Sequence, residues 1–150
     1  MASFWYTGAK ERILKGDVDL DEAGHDIRVM LCMTDTTADT DQDALTIAGI
    51  GTLDEYDGSG YTRQPLASQS VVRDDANNRG EFTATSPIEF GATVGAGTRL
   101  AAGALVYRHV DGTAANDQPI AWIDSGGFPI NGGGGPFRIT INAEGLLQAT

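Results

Sequence analysis

This chain has a single cysteine, Cys32, so no intrachain disulfide can staple its 150 residues. The neighbours of Cys32 are Val29, Met30, Leu31 and Met33, which reads as a core thiol rather than a nucleophile. Histidine is scarce as well, with only His25 and His109. No HExxH and no Cys/His pair at zinc spacing occurs, and no GxSxG elbow is present to build a nucleophilic triad. Basic residues number 10 against 21 acids, a net charge of -11. Such a balance argues against direct nucleic-acid binding, where phosphate contacts need clustered Lys and Arg, and against anionic membrane surfaces. It favours solubility, or docking on a basic or neutral protein surface. No apolar run approaches the roughly 20 residues of a membrane helix. The opening Met1-Ala2-Ser3-Phe4-Trp5-Tyr6 lacks a basic stretch before an apolar one, and Lys10, Glu11 and Arg12 place charge soon after it. A secretory signal is therefore not expected, and assembly in a cytoplasm is.

The chain is rich in glycine, 20 residues of it, with acids spread through candidate turns. That suits many short strands joined by loops, within one domain spanning 1–150. The helix candidate is 3–15, with Ser3 as its cap, Lys10, Arg12 and Lys15 toward its end, and Gly16 as a left-handed stop. Residues 1–16 would form an N-terminal helical arm packed on, or extending from, the domain. Trp5, Ala9 and Ile13 recur at helical spacing, with Phe4, Tyr6 and Leu14 beside them. Either this stripe packs on the domain's own sheet, or Phe4, Trp5 and Tyr6 face a partner.

Beyond Gly16 the period turns to two. Residues 27–33 are apolar at both parities and predict a strand covered on both faces. Residues 34–46 read as an acidic surface loop, 47–54 as a weak strand, and 61–68 as a strand that Pro65 confines to an edge or bulge. A hairpin is expected from 70–73 and 81–86, followed by strands at 99–110, 119–124 and 137–142, with 145–149 continuing past a bend. Phe137, Ile139 and Ile141 should point inward, and Arg138, Thr140 and Asn142 outward. Gly126-Gly127 and the run 132–135 bracket a loop, read as mobile, that contains Phe128 and Ile130. The total is about eight strands, at the turn spacing of a sandwich or barrel.

Chemistry-bearing motifs fail on inspection. Asp17, Asp19 and Asp21 begin like a calcium loop, but Glu22 and Arg28 stand where glycine and a bidentate glutamate belong. Asp39, Asp41 and Asp43 fail similarly at Ala44 and Ile50. Both read as solvated acidic turns. The glycine-rich stretches lack the strand–loop–helix setting of a phosphate loop. A carboxylate pair for glycoside hydrolysis would assemble only in space, and 21 acids make a chance pair easy.

Several segments together resemble a known family. They are Leu14-Lys15-Gly16-Asp17-Val18-Asp19-Leu20, Asp26-Ile27-Arg28-Val29-Met30-Leu31, Gly58-Ser59-Gly60-Tyr61-Thr62 and Arg73-Asp74-Asp75-Ala76-Asn77-Asn78-Arg79-Gly80-Glu81-Phe82. Leu105-Val106-Tyr107-Arg108, Pro119-Ile120-Ala121-Trp122-Ile123-Asp124 and the stretch from Phe137 to Leu147 complete the set. In order and spacing they resemble small tailed-phage virion proteins described as capsid decoration, or cement, proteins. The resemblance implies an all-β, jelly-roll-like β-sandwich with one short N-terminal helix and no catalytic residues or cofactors. It implies self-association on the outer surface of a phage head and contact with the major capsid protein. Anchors at such interfaces are commonly aromatic. The interface candidates are Phe4, Trp5, Tyr6 and Ile13, then Phe128 and Ile130. A tail, neck or fibre component, and a carbohydrate-binding β-sandwich using Trp122 and Tyr107, are the other readings.

Overall fold

The computed structural model describes residues 3–21 and 25–149. Glu22, on which part of the calcium-loop pattern turned, lies outside them, as do Met1 and Ala2. Over the described residues the chain is mostly β with one short helix, as expected, and its strands form three antiparallel sheets.

The largest sheet is built on three long strands, β2 (Ile27–Met33), β7 (Ala101–Arg108) and β8 (Gln118–Ile123). Two-residue strands close its edges, β1 (Phe4–Trp5) beside β8 and β3 (Gln64–Pro65) beside β2, giving the order β1-β8-β7-β2-β3. β2 is covered on both faces, as its apolar parity requires, and Val29, Met30, Leu31 and Cys32 are all inaccessible. Residues 61–68 shrink to a two-residue strand, with Pro65 on the sheet edge, where a missing N–H costs no ladder bond.

The hairpin is present as β4 (Ser70–Asp74) and β5 (Arg79–Thr83), with Asp74 accepting from the N–H groups of Ala76 and Asn77 in its loop. β10 (Leu147–Ala149) adds to β5, so the second sheet runs β10-β5-β4. A third pairs β6 (Ile88–Glu89) with β9 (Arg138–Ile139). The predicted inward face of 137–142 holds: Phe137 is buried and Ile139 and Ile141 half-buried, whereas Arg138 is exposed. Sheets of five, three and two strands do not by themselves make a jelly roll; the all-β class with one helix stands.

Helix α1 is Thr7–Lys15, shorter than expected. Ser3 does not cap it. Phe4 and Trp5 instead pair with Trp122 and Ala121, and Tyr6 stands at the N-cap with its N–H donated to the Ile120 carbonyl at 2.9 Å. Sheet pairing has overridden helix propensity across the aromatic triplet. Gly16 does end the helix, at φ 78°, with its N–H on Ile13 and that of Asp17 on Arg12. The weak strand expected at 47–54 is a 3₁₀ turn, Ile47–Gly49. Ile47 and Ala48 donate there to the carbonyls of Asp117 and Ala114, so this backbone is satisfied by a loop and needs no ladder. The acidic segment 34–46 has no helix or strand, but Thr36, Ala38 and Ala44 turn inward.

One apolar core joins the three sheets. Tyr56, Tyr61, Phe90 and Phe137 form an aromatic chain with centroids 5.6–6.1 Å apart. Trp122 is inaccessible, and so is Tyr107.

Candidate interaction surface

The aromatic triplet does not present one outward face. Tyr6 is inaccessible, and its hydroxyl donates to the Ala38 carbonyl at 2.5 Å. Burial, followed by the charges of Cys32, Asp41 and Asp39, pushes its pKa up. Tyr6 is therefore a core residue and not an interface candidate, because strand pairing of Phe4–Trp5 rolls it inward. Phe4 and Trp5 are half-buried against the core, and the Trp5 indole N–H donates to the Gln148 carbonyl at 2.7 Å. Ile13 is half-buried, whereas Leu14 is 88% exposed. Trp5, Ile13 and Leu14 line one wall of a groove of about 760 Å³, with Val71, Phe82 and Ala149 of the three-stranded sheet opposite.

The glycine-bracketed loop is tied down on one side. Ile130 exchanges both backbone hydrogen bonds with Ala101, at 2.8 and 3.0 Å. Gly135 bridges Val94, and Gly134 donates to the same residue. Gly132 lies so close to the Val94 carbonyl that a Cβ there would sit 2.6 Å from its oxygen, so only glycine fits. The Tyr56 hydroxyl organises this approach. It accepts from the N–H groups of Gly97 and Gly132 at 2.9 and 2.8 Å and donates to Asn131 Oδ1 at 2.6 Å. The backbone is thus fixed at Ile130, yet its side chain is 46% exposed, and Leu100, beside Ala101, is 42% exposed. Phe128 is half-buried, and a groove of about 620 Å³ runs past Phe128 and Ile130 to Ile139 and Ile141. Of the six predicted candidates, Phe128 and Ile130 share one surface, and Trp5 and Ile13 another.

The polar groups weighed for chemistry are engaged in shaping loops. Asp19 accepts from the Asp21 N–H, and Asp21 from the Val71 N–H. Asp41 binds the Thr37 hydroxyl and the Gly51 N–H, which hold its carboxyl below the usual range. Asp117 is buried; its desolvation is outweighed by N–H donors from Val110 and Gly112 and by His109, so its pKa falls. Cys32 is inaccessible, and burial pushes its thiol up, away from the thiolate. Among the described residues no three His, Cys, Asp or Glu side chains gather at metal-binding distance, and no helix is long and apolar enough to cross a membrane.

Leu14 and Tyr56 were missed as contributors to these surfaces. Leu14 carried a signal, standing beside the last residue of the apolar stripe and close to a helix stop. Tyr56 carried none, because its partners lie 39 to 76 residues away. The chain matches no protein-family model, no curated protein and no solved structure.

Proposed function

We propose that this chain is a structural virion protein that binds the outer surface of a tailed-phage capsid and stabilises it by bridging major capsid subunits. The observation carrying this reading is Ile130, an exposed aliphatic side chain on backbone already locked by paired hydrogen bonds to Ala101, at the lip of the groove that runs past Phe128. A preordered apolar patch loses little conformational entropy on docking, which favours protein–protein adhesion. The segment resemblance supports the same reading. On it, the partners are the major capsid protein and further copies of this chain, with no direct contact to nucleic acid or membrane and no cofactor. The location is the exterior of the head, reached after assembly in the host cytoplasm. An acid excess on that exterior also keeps the protein from being drawn to packaged DNA.

Mixing the purified protein with undecorated heads tests this. Saturation at hundreds of copies per head is the expected result, a handful per particle points to a tail, neck or fibre component, and no binding overturns the reading. The carbohydrate-binding alternative loses its proposed platform, since Trp122 and Tyr107 have no accessible ring face.

A further inference from the structure

Among the described residues, the outer strand of the three-stranded sheet, β4, is an unpaired edge with self-matching chemistry. Val71 pairs with Phe82, and the Phe82 carbonyl is turned toward the far side of β5, where it accepts from Leu146 at 2.8 Å. Val71 and Phe82 are therefore a non-hydrogen-bonded pair, and the N–H of Val71 points away from the sheet. The contact it makes agrees with this, being the Asp21 carboxylate at 3.2 Å rather than β5. By the same alternation the N–H and C=O of Arg73 also point outward, while those of Ser70, Val72 and Asp74 face β5. Val71 and Val72 are 47% and 50% exposed, one on each face of the strand. Arg73 and Asp75 pair with each other at 2.9 Å but stand 83% and 73% exposed, an ion pair that holds little in place.

We propose that β4 pairs antiparallel with β4 of a second copy across a two-fold axis at Val72, joining two three-stranded sheets into one of six. Only strand registers that set outward-facing residues against each other make ladder bonds, so within β4 Val71 faces Arg73, Val71 faces itself, or Arg73 faces itself. Facing Arg73 gives four backbone hydrogen bonds and sets Val72 against Val72. It also sets Ser70 against Asp74 and Gln69 against Asp75, a donor opposite an acceptor in each case. Val71 against Val71, or Arg73 against Arg73, leaves one hydrogen-bonded pair within β4 instead of two, and the latter also brings like charges together. In the chosen register the Asp21 carboxylate, displaced from Val71, lies beside Arg73 of the facing copy. One residue thus caps the edge in the free chain and supplies the opposite charge in the pair. An isologous contact of this kind closes on itself and does not propagate into fibres. The pairing is independent of the capsid reading, because it is measured on purified protein with no heads present.

Sedimentation velocity of the full chain, from micromolar to hundreds of micromolar, is expected to show a monomer–dimer equilibrium. Val71→Pro removes an outward N–H without breaking the ladder to β5, and is expected to weaken the dimer at least about tenfold with an unchanged circular dichroism spectrum. Val72→Cys provides a second readout. Facing residues of a non-hydrogen-bonded pair have Cα atoms about 4.5 Å apart, within disulfide reach, so mild oxidation is expected to cross-link this variant well ahead of Val71→Cys. Buried Cys32 does not compete. A chain that stays monomeric, a trimer or larger ring, a Val71→Pro dimer as tight as the parent, or equal cross-linking of the two cysteine variants each overturns the proposal.

Discussion

The indole of Trp122 lies across the Cα of Gly103, so that a Cβ at that glycine would fall 2.8 Å from ring atom Cε2 and closer still to Cζ2. The two residues occupy adjacent strands, β7 and β8, at the centre of the five-stranded sheet. Glycine is required there to make room for the ring. Gly103→Ala is expected to destabilise the protein by about 1–3 kcal/mol through overpacking, read as a lower urea midpoint at unchanged m-value. Gly103→Val is expected to leave too little folded protein to measure.

Tyr56→Phe should separate anchoring from packing. The ring stays and the hydroxyl goes, so the N–H groups of Gly97 and Gly132 lose one of two shared acceptors, keeping Asn131 Oδ1, and Asn131 loses a donor. The expected cost is about 0.5–1.5 kcal/mol. Faster hydrogen exchange at Gly132 and Ile130 than in the rest of the β7–β8 region would mark the loop as the part released.

Ile130→Asp is the expected separation-of-function variant. Its side chain is largely outside the core, so melting should shift by less than about 0.5 kcal/mol equivalent. Binding to undecorated heads should fall at least about tenfold, since an unpaired charge would be buried at the contact.

Removal of residues 1–15 should unfold the domain rather than spare it. Those residues include β1, which completes the large sheet, and the inaccessible Tyr6. The shift is read by loss of near-ultraviolet circular dichroism and of cooperative melting. Tyr6→Phe, which loses only the bond to Ala38, should cost about 1 kcal/mol.

Stability should fall at both ends of the pH scale. Asp41, Asp57, Asp111 and Asp117 have folded pKa values below their ordinary ones; donors from Thr37 and Gly51, from Thr98, and from Asn116 and Thr113 hold the first three down. For Asp117, burial works the other way and is outweighed by the Val110 N–H and His109. The unfolded chain binds protons first on acidification, so this stabilisation is complete above about pH 4 and drains away below it. Cys32, Tyr6 and Tyr61 are shifted upward, chiefly by burial. Here the unfolded chain loses protons first, so stability declines as pH rises past about 8.5–10. Melting temperature against pH should therefore be a plateau with two falling limbs, and Asp57→Asn should flatten the acid one.

Legibility from sequence followed the range of the interactions involved. β2 and the β4–β5 hairpin were readable because an apolar run covered at both parities, and two alternating segments around a polar loop, are local patterns. The stop at Gly16 was readable for the same reason. Tyr6 was misread because Trp122 and Ala121, more than a hundred positions away, capture Phe4 and Trp5 into a strand. The 3₁₀ turn at Ile47 was misread because its backbone partners lie in the 113–117 loop. Ile130 was named from composition alone, while the Ala101 pairing that stiffens it left no trace in the sequence near it.

The bond from the Trp5 indole to the Gln148 carbonyl has a consequence for when the protein acquires its shape. A ribosome that has made the first hundred residues has still not made the strand that β1 pairs with, nor the carbonyl on which Trp5 rests. The aromatic N-terminal segment cannot pair until synthesis passes β8, and the Trp5 indole gains its acceptor only at position 148. The β1 edge of the large sheet therefore closes only after most of the chain has been made, and the aromatic residues beside it stay uncovered for most of synthesis.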